Sequence, residues 1–117
     1  MINEQRIDKR RKVEYYMPVM DNNTHEILGY ISDISPRGFR LESEKTLTAS
    51  KDYAMSLNQV SDISSSPYIT LVARAVWVQP DPIIPNDYLG GFTIVSISQN
   101  EQKIFQRIVE IYGTPVD

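Results

Sequence analysis

The chain has 117 residues, enough for one modest hydrophobic core. It has no cysteine and no apolar run of about eighteen residues, which excludes disulfides, thiolate metal sites and a helical membrane span. The formal net charge of −3 is uneven: Arg6, Lys9, Arg10, Arg11 and Lys12 against Glu4 and Asp8 give residues 1–12 a net +3 and leave −6 for the rest. An acidic body argues against a general nucleic-acid binder, whose phosphate contacts need a basic face. A basic arm on that body suits a compact anionic partner, or docking on the body's own acidic surface.

Residues 1–12 have no apolar periodicity and read as a flexible arm or a short irregular helix. The N-terminus lacks an apolar signal core, and the expected location is the cytoplasm. Residues 13–20 predict a first strand, with Val13, Tyr15, Met17 and Val19 on one face and Pro18 at an edge or bulge. Asp21, Asn22, Asn23 and Thr24 mark a turn. Strands are expected over 25–35 and 39–43, then over 53–57 after a polar link. A serine-rich loop follows at 61–67. The longest strand, 68–79, alternates Ile69, Leu71, Ala73, Ala75 and Trp77 against Thr70, Arg74 and Val76. Pro80, Pro82 and Pro85 mark a loop before a sixth strand at 88–97, where Gly90 and Gly91 suggest a bulge or a close backbone approach.

The period then changes. Ser98 and Glu101 form an S-x-x-E capping pattern, and Ile104, Phe105, Ile108, Ile111 and Tyr112 recur at helical spacing. Gly113 and Pro115 are natural stops. The organisation is an arm over 1–12, an antiparallel barrel or sandwich of six short strands over 13–97, and a helix over 98–113, all in one domain. The helix is expected to cover an open end, with Ile104, Phe105, Ile108 and Ile111 facing the barrel.

Catalytic chemistry is sparse. His25 stands alone at a turn exit and no cysteine is present, so no transition-metal set assembles. No glycine-rich phosphate loop and no G-x-S-x-G elbow occurs. The chain is therefore expected not to be an enzyme and to need no cofactor or metal. Two polar features stand out. Arg6 and Arg10 form an R-x-x-x-R pair, followed by Arg11, and an arginine fork binds phosphate or the guanine O6/N7 edge bidentately. Asp33, Ser35, Pro36 and Gly38 predict a bend between two strands, carrying an exposed carboxylate, a hydroxyl and a glycine free to take positive φ.

R-x-x-x-R, a strand, then D-x-S-x-x-G between two strands, a β-rich body and a terminal helix: this order resembles the PilZ domain family over nearly the whole chain. Trp77 and the Gly91-Phe92 pair fit the same pattern. The resemblance implies an all-β fold, a six-stranded antiparallel barrel with a C-terminal helix, and a bacterial receptor for the second messenger cyclic di-GMP. Carried onto this sequence, it implies that Arg6 and Arg10 hold guanine and phosphate, with Arg11 as helper. Asp33 would accept from guanine N1 and N2, Ser35 would bond a phosphate or base, and Gly38 would admit close backbone approach. Arg37, Arg40 and Trp77 are weaker candidates, Trp77 reading first as a core or rim aromatic. Arg11 or Lys12 can share the second arginine role, because the stretch from Arg10 to Pro18 is slightly longer than in many family arms.

The implied function is a stand-alone receptor that changes arm conformation on binding and signals to an unidentified protein. A second reading is a PilZ-like interaction module that no longer binds the nucleotide. A third, a small-barrel binder of single-stranded nucleic acid, needs a basic stacking groove that the acidic body does not offer.

Overall fold

The computed structural model describes residues 11–13, 17–58 and 68–115. The R-x-x-x-R pair Arg6 and Arg10, Tyr15, and the serine-rich loop 61–67 lie outside them. The described elements are β1 (Arg11–Val13), β2 (Pro18–Asp21), β3 (Ile27–Ser35), β4 (Gly38–Ser43), β5 (Asp52–Asn58), β6 (Tyr68–Pro80), β7 (Tyr88–Ser96), α1 (Gln99–Tyr112) and β8 (Gly113–Pro115). All pairings are antiparallel. Six strands close a ring in the order β2-β5-β6-β7-β4-β3, and β3 pairs back onto β2. Closure leaves no edge in the ring itself. β1 pairs with the far half of β3, and β8 pairs with β1, so a short flap extends from the barrel.

Alternation builds the core. Ile69, Leu71, Ala73 and Ala75 of β6 are buried, as are Met55 and Leu57 of β5 and Phe39 and Leu41 of β4. Phe39 stacks on Phe92 with ring centroids 5.7 Å apart, and Tyr53 meets Phe92 edge-on at the same distance. Each large apolar side chain so enclosed contributes about 1.5–3 kcal/mol. Tyr53 Oη leaves the apolar interior to accept from Thr48 N–H at 2.9 Å. Ser43, fully enclosed, donates to the Leu28 carbonyl at 2.6 Å and accepts from Lys45 N–H at 3.0 Å, so the polar atom costs little.

α1 closes one end. Ser98 Oγ accepts from Glu101 N–H at 3.1 Å, as the capping pattern predicts. Glu101 also accepts, through Oε2, from Thr70 N–H at 2.9 Å. That ties the first turn to β6 beyond the end of its pairing with β7, which stops at Val72 and Ser96. Phe105, Ile108 and Val109 are buried, and the Phe105 ring lies 6.3 Å from Phe39.

Four expectations need correction. The predicted first strand is two strands, β1 and β2, which pair with successive halves of β3. β1 also takes up Arg11 and Lys12, the last two residues of the expected arm. Ile111 is 51% exposed and Val109 takes its place inside, because the buried stripe follows i, i+3, i+4 from Phe105. Gly113 ends the helix at φ −85°, not in the left-handed region, since the chain must extend at once to pair as β8 with β1.

Candidate ligand-binding site

Ile31 and Ile34 are both buried, 3% and 0% exposed, yet an odd spacing of three cannot put two residues on the same face of a regular strand. The strand resolves this with a bulge. Ile31 pairs with Leu41 and Asp33 with Arg40, so Ser32 is the extra residue. Two consecutive residues, Ser32 and Asp33, therefore face outward. Without the bulge the Asp33 carboxylate would turn into the core at a large desolvation cost.

On the outer face Asp33 stands beside Arg40 of β4, with Arg40 Nε 3.7 Å from Asp33 Oδ2. Arg40 Nε donates to Ser32 Oγ at 3.0 Å. Asp33 is only 8% exposed, not the open turn carboxylate expected. The reason is position: it lies within β3, where Lys12 of β1 pairs on one side and Arg40 of β4 on the other. The bend itself is shorter, with only Pro36 and Arg37 between β3 and β4. Ser35 Oγ donates weakly across it to the Gly38 carbonyl at 3.4 Å.

Gly38 does not use positive φ; no glycine of the described residues does. Its requirement is space. A Cβ there would lie 2.1 Å from the Phe92 carbonyl oxygen of β7. Arg37, exposed at the bend, accepts at its carbonyl from Ile94 N–H at 2.8 Å, which seats the hairpin against β7.

The register extends this site across the barrel. Lys12, Asp33, Arg40, Gly91 and Trp77 are successive partners on β1, β3, β4, β7 and β6. At about 4.8 Å per strand, Asp33 and Trp77 stand roughly 14 Å apart along the sheet. Trp77 also owes its outward position to a bulge. Ala75 pairs with Phe92 and Trp77 with Gly91, leaving Val76 as the extra residue. The indole rests where Gly91 has no side chain, since a Cβ there would fall 2.1 Å from Trp77 Nε1. Trp77 is 36% exposed, on the outer face and not in the core.

Of the residues expected at a site, Asp33, Arg40 and Trp77 thus share one row, with Ser35 and Gly38 in the row beside it. Arg11 pairs through its backbone with Ile34. Ser32 was not anticipated, although the odd spacing of Ile31 and Ile34 carries its signal. Among the described residues, no group of three or more histidine, cysteine, aspartate or glutamate side chains is placed to hold a metal. None of the described helices is long and apolar enough to cross a membrane.

The model of the PilZ domain matches residues 4–110 of the chain. The chain belongs to the PilZ domain family. Among solved structures it is similar to the PilZ domain of YcgR from Escherichia coli, determined with c-di-GMP. The identity is 14%, the TM-score 0.70, and the match covers 93% of this chain and 92% of that one. It is also similar to the inhibitor of motility MotI/DgrA of Bacillus subtilis, at 11% identity and TM-score 0.68, covering 92% of this chain and 51% of that one. The MrkH–c-di-GMP complex of K. pneumonia matches at 16% identity and TM-score 0.66, covering 93% and 52%. The chain thus spans about half the length of MotI and MrkH, and at these identities the likeness is one of fold. Comparison with curated protein sequences finds no match.

Proposed function

We propose that this PilZ domain is a receptor module for cyclic di-GMP that passes its state to a protein partner. The observation that carries the reading is the pairing of β1 with β3, which brings the root of the R-x-x-x-R arm alongside Asp33 and Ile34. The two motifs are 22 residues apart from Arg11 to Asp33 in sequence but adjacent in the sheet. In this reading Arg6 and Arg10, with Arg11 or Lys12, take phosphate and the guanine O6/N7 edge. Asp33 accepts from guanine N1–H and N2–H, Ser35 bonds a phosphate or base, and Gly38 keeps the bend close to the barrel. Arg40 lies beside Asp33, and Trp77 offers a face on which the second base stacks, its other face resting against Gly91. Arg37 flanks the site at the bend.

The output follows from the flap. β1 holds the ligand-side arm through β3 on one edge and holds β8 on the other, and β8 continues directly from α1. A ligand that pins the segment before Arg11 across the outer face changes the surface met by a partner, and does so next to strands tied to the terminal helix.

Calorimetry with cyclic di-GMP, linear pGpG, GTP and cyclic di-AMP tests the reading. The cyclic guanine ligand should bind and cyclic di-AMP should not, because adenine lacks the O6 acceptor and N1–H donor. Arg6→Ala and Arg10→Ala should each weaken binding by about 1–3 kcal/mol. Amide exchange should slow in residues 1–10 on binding. No heat with cyclic di-GMP at high micromolar concentration would return the domain to an interaction module without nucleotide.

A further inference from the structure

The bulge at Ser32 does more than turn Asp33 outward. It places a hydroxyl between two charged groups that would otherwise close on each other. Arg40 pairs with Asp33 across β3 and β4, the position from which a guanidinium fork reaches a carboxylate with two parallel hydrogen bonds. The structure shows something else. Arg40 Nε donates to Ser32 Oγ at 3.0 Å and stops 3.7 Å from Asp33 Oδ2, beyond hydrogen-bond distance. Ser32 Oγ in turn donates weakly to the Arg40 carbonyl at 3.4 Å, so both contacts of the hydroxyl are to one residue.

We propose that Ser32 is a positioning residue, which sets how far Arg40 engages Asp33 and thereby tunes the guanine-reading carboxylate. The proposal rests on the guanine role given to Asp33 above. Guanine presents N1–H and N2–H in parallel, the same geometry as an arginine fork. A closed Arg40–Asp33 pair and a guanine edge therefore compete for one carboxylate. The Ser32 hydroxyl holds Arg40 in the intermediate contact: near enough to keep a cation beside the carboxylate, and too far to complete the fork. Removing the hydroxyl frees Nε, which already stands 3.7 Å from Asp33 Oδ2.

The test is a titration of the full chain with cyclic di-GMP and with its inosine analogue cyclic di-IMP, which lacks the 2-amino donor. Ser32→Ala should lower cyclic di-GMP affinity by roughly three- to thirtyfold, the size of coupling usual between contacting residues. It should also shrink the preference for cyclic di-GMP over cyclic di-IMP, because the carboxylate no longer meets both donors. A general loosening of the barrel would weaken both ligands alike. Ser32→Thr, which keeps the hydroxyl, should retain affinity and preference. In an Arg40→Gln background Ser32→Ala should have no further effect. An unchanged preference in Ser32→Ala, or the same loss with and without Arg40, overturns the assignment. If the unsubstituted chain binds neither ligand, the receptor reading itself falls, and that result appears before any substitution is made.

Discussion

Two bulges shape the outer face, and they do opposite things. In β3 the extra residue Ser32 brings out a carboxylate that is then enclosed: Asp33 is 8% exposed and flanked by paired strands on both sides. In β6 the extra residue Val76 brings out Trp77, which stays 36% exposed, with Val76 itself at 59%. β5 stops pairing with β6 at Arg74, and the last bonds between the neighbouring segments join Ser50 and Lys51 to Ala75. The β6 bulge therefore begins where the strand loses its neighbour on one side. A group that distinguishes bases by hydrogen bonds must be fixed and partly desolvated, because an error of an ångström breaks the bond. An aromatic platform needs only a flat support and an open face. The glycines differ in the same way. Gly38, near Asp33, abuts backbone, whereas Gly91, under Trp77, abuts a side chain.

That contrast makes the first and largest prediction. Gly38→Ala puts a Cβ 2.1 Å from the Phe92 carbonyl, and two paired strands must separate to relieve it. The cost should reach or exceed the ~3 kcal/mol upper end for overpacked sites. Thermal melting checks it, and an unchanged midpoint would show that the hairpin is looser than the register implies. Next in size, Asp33→Asn keeps shape but replaces one acceptor oxygen by a donor. Affinity for cyclic di-GMP should fall by about 1.5–3 kcal/mol, the range for hydrogen bonds to charged groups. Titration at a temperature where circular dichroism shows both proteins folded decides the matter. Equal affinity would remove Asp33 from the site.

Gly91→Ala should cost less, about 1 kcal/mol, at the low end of overpacking, because the indole can swing away where a backbone cannot. Trp77 is the sole tryptophan, so its emission reports the displacement directly. Ligand affinity should fall with the shift in emission. A shifted indole with full affinity would mean that the β6 bulge has no part in binding, and the comparison would reduce to one functional bulge and one structural one.

Much of this was legible in the sequence, for physical reasons that differ by element. The long β6 pattern and the helical repeat after Ser98 are strong because burial enforces their periods. The two motifs pointed to a candidate site because arginine forks, aspartate and glycine have narrow chemical uses. The flap was not legible. β1 and β8 have three residues each and exist only through pairing with each other and with β3, which local propensity does not encode. Asp33 was expected in the bend because Asp, Ser, Pro and Gly all favour turns. The buried pair Ile31 and Ile34 overrode that preference, since a bulge in a strand keeps both isoleucines inside. Gly38 was assigned to backbone freedom when its actual constraint, the Phe92 carbonyl, is 54 residues away in sequence.

The smallest effect lies at the far end of the row that holds Ser35 and Gly38, and it marks where the proposed site ends. Gly38, Thr93, Arg74 and Asp52 form the neighbouring row across β4, β7, β6 and β5. Arg74 Nε donates to Asp52 Oδ1 at 2.7 Å and a terminal nitrogen donates to Oδ2 at 3.3 Å. Both side chains are about half exposed, so water and salt weaken the attraction. The hydrogen bond from Arg74 holds the Asp52 carboxyl below its ordinary value of 3.8; slight desolvation opposes this and the charge of Arg74 adds to it. A lowered folded-state value means that protonation favours the unfolded chain. The stabilisation is therefore complete above the unfolded value and disappears as pH falls through the folded one. Asp52→Asn should lower the melting midpoint slightly at neutral pH, and the difference should begin to fade only below about pH 3.8, disappear once the pH is under the lower folded-state value, and shrink in high salt at neutral pH. Cyclic di-GMP affinity should not change, because this pair is already spent on itself and stands at the β6–β5 end of that row, with β7 between it and Gly38. A loss of affinity in Asp52→Asn would extend the binding face along this row, from Ser35 and Gly38 across Thr93 to Arg74 and Asp52.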